Sequence, residues 1–135
     1  MEWWYVNSHC VTAENRHYSF FASFFRKVRG YDEKGAPEYI HSLTWAVHDV
    51  EGEESLHVSR VDERAAEEGL LRMNRGLGSR DPRLNRALRE ILERGNVPLP
   101  DRKFEGRVFV ALDRLELEFG DDSYRKNDDG TYSLK

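Results

Sequence analysis

The sequence is poor in the features that most directly assign a function. It contains one cysteine, Cys10, so no internal disulfide can form. Lysine and arginine number 21 against 25 aspartates and glutamates, a net charge of −4 that leaves no basic field for nucleic acid or an anionic membrane. No segment approaches the roughly 20 apolar residues of a membrane span. Met1 leads directly into strand-like sequence, without the charged and apolar regions of a signal peptide, which favours a cytoplasmic location. The five histidines fall at no local spacing that brings two ligands together, such as i, i+4 on a helix, so neither a metal nor another cofactor is expected. Residues 74–79 are glycine-rich but lack the Gly-Lys-Ser/Thr ending of a phosphate loop, and read as a flexible connection. A Gly-x-Ser-x-Gly elbow is missing too, which removes that route to a hydrolase nucleophile.

What the chain does have is aromatic residues, 12% of the total, with half of them inside residues 3–25. That stretch, EWWYVNSHCVTAENRHYSFFASFFR from residue 2, reads as two strands rich in pleat-favouring side chains around a short polar turn. A three-residue loop, Ala13-Glu14-Asn15, places Thr12 opposite Arg16 and thereby sets the register of the whole hairpin. Glu2 then meets Arg26, an opposite-charge pair in keeping with that register. One predicted face carries Trp4, Val6, Ser8 and Cys10 against Phe24, Ala22, Phe20 and Tyr18, a core layer in which Cys10 is a buried thiol. The other carries Trp3, Tyr5, Asn7 and His9 against Phe25, Ser23, Phe21 and Ser19. Rings alternating with polar groups suit an apolar pocket whose few polar groups orient a ligand; the alternatives are an interface and plain surface.

Further along, residues 39–50 and 55–61 alternate as strands, with His41 and His48 on opposite faces. Residues 62–73 change to helical spacing, with Asp62 as the N-cap and Ala66, Leu70 and Met73 as the apolar stripe. A second helix over 82–94 has Asp81 to cap it, Pro82 at its first position and Gly95 to stop it. Its stripe of Leu84, Leu88, Ile91 and Leu92 is expected to face the sheet or a partner. Residues 96–101, with two prolines, read as an extended linker. Strands return at 104–112 and 115–119 around an Asp113-Arg114 turn, and at 123–126 and 131–135 around Asn127-Asp128-Asp129-Gly130. The acidic pairs in the turns read as backbone hydrogen-bonding groups. Together these predict one mainly β domain over 1–135, an antiparallel barrel or strongly curved sheet with a helical insertion at about 62–95.

The opening EWWYVNSHC followed by YSFFASFFR resembles the start of the lipocalin-like AttH and carotenoid 1,2-hydratase (hydroxyneurosporene synthase) family. WAVHDVEG at 45–52 is similar to that family's next strand and turn, and RVFVALDRLELEF and DDGTYSLK to its later meander. Ser8 stands where the family usually has glycine. The resemblance implies the N-terminal half of a two-barrel protein, the second barrel being absent. It also implies hydratase (lyase) or pericyclic cyclase activity on isoprenoid or polyketide-like substrates. A homodimer partner or the missing second domain would cover the surface left over.

On this reading the partner is a hydrophobic small molecule. His9 and Glu2 are then the proton-transfer candidates, Tyr5 and Asn7 the polar anchors, and Trp3, Phe21 and Phe25 the apolar wall. The competing reading is a non-catalytic binding module or structural half-domain.

Overall fold

The front hairpin takes the register that its turn dictates. β1 (Glu2–Val11) and β2 (His17–Tyr31) pair antiparallel from Glu2 opposite Arg26 to Val11 opposite His17. Thr12 N–H donates to the Arg16 carbonyl at 2.9 Å, and Asn15 adopts a φ of 60°, a left-handed conformation that asparagine tolerates better than most residues. β2 pairs on its other side with β3 (Pro37–Asp49), through a bulge between Val28 and Gly30, and β3 pairs with β4 (Glu54–Val61).

The computed structural model describes residues 1–135 and divides them into two compact units, Met1–Lys103 and Phe104–Lys135. In the first unit the chain leaves β4 for two helices, α1 (Ala65–Asn74) and α2 (Pro82–Glu93), and returns as β5 (Asp101–Lys103). β5 runs parallel to β4, so part of the predicted linker is a strand, and not every pair is antiparallel. A parallel neighbour needs a long crossover, which the helical insertion supplies. The five strands lie in the order β1-β2-β3-β4-β5 and form an open sheet, not the closed barrel that was one expectation. Closure needs a continuous ladder between the outer strands, and β5 offers only three residues for one.

The second unit is a four-stranded meander of β6 (Val108–Val110), β7 (Glu116–Phe119), β8 (Asp122–Lys126) and β9 (Tyr132–Leu134). Its first connection is wider than the two-residue turn predicted at Asp113-Arg114. Ala111 N–H reaches the Glu116 carbonyl at 3.0 Å, and Arg114 Nε donates to Glu116 Oε2 at 2.6 Å across the loop. The second connection is the expected tight turn, closed by Gly130 N–H on the Asn127 carbonyl at 3.0 Å. There Asp129 Oδ1 accepts from the Thr131 hydroxyl and N–H, and these bonds hold its carboxyl below the usual aspartate value.

In the first unit the most deeply buried sheet residues, Ala22, Phe24 and Leu43, sit on the Trp4 face of the two central strands. Cys10 shares that parity but lies near the turn end of the outer strand β1, and it is exposed rather than buried. Helix α2 is capped as expected, with Asp81 accepting from Arg83 N–H at 2.8 Å and Gly95 following its end at a φ of 73°. Its apolar stripe is narrower than predicted. Leu92 is buried, but Leu84, in the first turn, stays 56% exposed. α1 begins without a side-chain cap, because Asp62 lies three residues before Ala65 and spends its carboxylate elsewhere.

Removing a fully buried ring from a core of this size costs far more than altering an exposed thiol. Phe24→Ala is expected to lower the unfolding free energy by about 3–5 kcal/mol, whereas Cys10→Ser should stay within about 0.5 kcal/mol of the parent. Urea denaturation followed by circular dichroism measures both.

Candidate functional site

Register builds the candidate site before any side chain is considered. Trp3, Phe25, Ser42 and Val61 form one row across β1 to β4, and Tyr5, Ser23, Thr44 and Ser59 form the next. At one end of this face α1 lies opposite the sheet, and a cleft of about 360 Å³ separates them. Phe25, Ile40, Ser42 and Val61 line it from the strands, and Ala65 and Gly69 line it from the helix. The helix is tied down by Arg29 of β2, whose guanidinium meets Glu68 at 3.2 Å and Glu67 at 3.4 Å. Gly69 permits close packing of α2 on α1, since a Cβ there would come within 2.9 Å of Leu92 Cδ1.

At the edge of the cleft stands a polar pair, whose side chains by strand parity share the Arg26 and Tyr39 face rather than the Phe25 face. Asp62 Oδ2 faces His41 Nδ1 at 3.2 Å, and both side chains are only 15% exposed. Asp62 N–H donates to the His41 carbonyl at 2.9 Å, and Asp62 Oδ1 accepts from Arg64 N–H at 3.0 Å. Burial pushes the Asp62 carboxyl up, but the bonds from His41 and Arg64 outweigh it and hold the group below the ordinary aspartate value. A carboxylate only accepts, so the tautomer assigned to neutral His41 carries its proton on Nδ1.

Of the residues singled out in the sequence, Phe25 reaches this cleft. Trp3 and Tyr5, 59% and 62% exposed, lie with Asn7, His9 and Phe21 on the open part of the same face. Glu2 lies on the opposite parity. Its Oε2 accepts from Arg26 Nε at 2.7 Å, and that guanidinium sits 4.3 Å over the Tyr39 ring and 5.7 Å over Trp4. Seven residues of extended strand separate Glu2 from His9, roughly 23 Å at 3.3 Å per residue, so the two do not act together on one bond.

His17 is held by Glu51, and His48 Nδ1 lies 2.7 Å from the Ser55 hydroxyl. The glycine-rich stretch 74–79 is anchored rather than loose. Ser79 N–H donates to Asn85 Oδ1, and Asn85 Nδ2 donates to the Ser79 carbonyl, both at 2.7 Å.

The His41–Asp62 pair was not singled out from the sequence, although a signal for it was present. β3 and β4 pair with Ser42 opposite Val61, so one step further along the hairpin brings His41 to Asp62. The pair has a pH signature. A carboxyl depressed on folding adds stability above its unfolded value, near 3.8, and that stability is lost as pH falls through the lower folded value. The stability difference between the parent and Asp62→Asn should therefore be present at pH 5 and shrink as pH drops below about 3.8. Thermal melts of both proteins across that range test it.

A scan against protein-family models and searches of curated proteins and of solved structures return no match to this chain, so the family resemblance stands on the quoted residues and the functional reading on the geometry.

Proposed function

We propose that the domain binds a hydrophobic small molecule in the cleft between α1 and the sheet, as a lipocalin-like half of the AttH and carotenoid-hydratase type. The observation that carries this is the cleft itself, about 360 Å³ with Phe25, Ile40 and Val61 on its sheet side and Ala65 and Gly69 on its helix side. That volume lies at the lower end of the range for small-molecule sites, and an apolar surface with few polar groups is their usual make-up. Burial of the ligand's hydrocarbon supplies the driving force, at roughly 25 cal/mol per Å² before the cost of association.

The reading is one of binding. His41 lies between Ile40 and Ser42 in β3, so its ring takes the opposite face of the sheet with Tyr39, away from a ligand held on Phe25, Ile40 and Val61.

A second reading has its own support. Trp3 and Tyr5 are more than half exposed on an outer strand, and a patch of that kind favours burial against another protein surface. On this reading the wall is where a second copy or a companion domain docks, and the cleft is a separate feature beside it.

The neutral fluorescent dye N-phenyl-1-naphthylamine separates the two. A saturable rise in its emission is expected, with affinity falling at least about tenfold in Ala65→Trp, which fills the cleft, and less than about threefold in Trp3→Ala. Circular dichroism checks that Ala65→Trp is folded. No saturable rise, or binding indifferent to Ala65→Trp but abolished by Trp3→Ala, would sink the cleft reading. For the wall, sedimentation equilibrium at tens of micromolar should give a dimer that Trp3→Ala dissociates. A monomeric mass for the parent protein excludes self-pairing through that face.

A further inference from the structure

We infer that the ligand of this cleft is an amphipathic monocarboxylate, with its hydrocarbon on Phe25, Ile40 and Val61 and its carboxylate held by Lys27 and Arg72; this rests on the small-molecule reading of the same cleft.

The charges lining the cleft do not cancel in the way their number suggests. Two carboxylates and two cations line it: Asp62 and Glu68, Lys27 and Arg72. Both carboxylates are already committed. Asp62 is bonded to His41 and to Arg64 N–H, and Glu68 meets Arg29 at 3.2 Å. Neither cation has a carboxylate partner.

Arg72 is the informative one. Glu68 stands one helical turn before it, the i, i+4 spacing and direction at which a glutamate and an arginine stabilise a helix by pairing. Here Glu68 is drawn to β2 by Arg29, and Arg72 is left at the cleft without its natural neighbour. Lys27 comes from the strand side, where its partner across the ladder is Ile40, an apolar residue. One free cation from the helix and one from the sheet therefore border an apolar lining.

That combination favours an anionic head group over the neutral hydrocarbon that the exposed wall alone would suggest. Both cations are exposed, so beside a chain with no charge they stay hydrated and contribute nothing to its binding. A carboxylate at the mouth answers both, and a guanidinium offers it paired N–H donors. At about 360 Å³ the cleft falls within the range of small-molecule sites, and a ten-carbon fatty acid is a suitable probe of it.

The experiment is competition of decanoate and 1-decanol, each below its aggregation limit, against bound N-phenyl-1-naphthylamine. The parent protein is compared with Lys27→Gln, Arg72→Gln and the double variant. Both residues are exposed, and melting temperatures verify that the variants fold. Decanoate is expected to weaken about threefold for each single change and roughly tenfold for the double, while decanol is unaffected. Added salt should weaken decanoate in the parent and leave decanol unchanged. If decanol competes but the double variant holds decanoate as tightly as the parent does, the inference fails and the small-molecule reading survives. If neither compound competes with bound dye, the inference fails; if the dye itself does not bind, the small-molecule reading is overturned and the inference falls with it.

Discussion

Everything in the first unit depends on the pairing register of β1, β2 and β3. Side chains alternate across a strand, so a slip of one residue would exchange the two faces completely. The turn at residues 12–16 prevents this by a single backbone bond from Thr12 to Arg16, and the Glu2–Arg26 pair confirms it at the far end of the hairpin. With that register, Ala22, Phe24 and Leu43 are packed away, and Trp3, Phe25, Ser42 and Val61 align on the other side. The core and the cleft are therefore two results of one constraint.

A second, weaker set of bonds places the helices. Arg29 reaches from β2 to Glu67 and Glu68, and Asp62 fastens the end of β4 to His41 before the chain turns into α1. Asp62 is not a helix cap because these other bonds are available to it. The carboxylate accepts from Arg64 N–H and from an imidazole, which gives it two charge-favouring partners where a cap would give one. The outcome is a strand end, a helix start and a titratable pair built from one residue.

Much of this architecture was legible in the residues, and the illegible parts share a physical cause. The hairpin register, the strand at 39–50, the capped second helix and the turn at 127–130 follow from local chemistry, and local chemistry is visible in sequence. The exposure of Cys10 and Leu84 and the strand β5 depart from the local pattern because burial and parallel pairing depend on what lies far along the chain. Cys10 has the parity of a core residue but sits on the outermost strand, and periodicity carries no information on strand order. The candidate site divides the same way. Phe25 follows from hairpin parity alone, whereas the roles of Lys27 and Arg72 depend on the long-range pairing of Arg29 with Glu68.

The two sides of the cleft differ in how they are held. The sheet side is fixed by backbone ladders, which care little about side-chain identity, and the helix side by a few side-chain bonds and the contact at Gly69. Substitutions on the cleft-facing side of α1 thus alter the cleft without reaching the ladder, while those in β2 or β3 risk the core with every change. A designer, or natural divergence, can retune what the cleft prefers through the helix at little structural cost. Preference in this fold is then free to drift faster than the sheet beneath it.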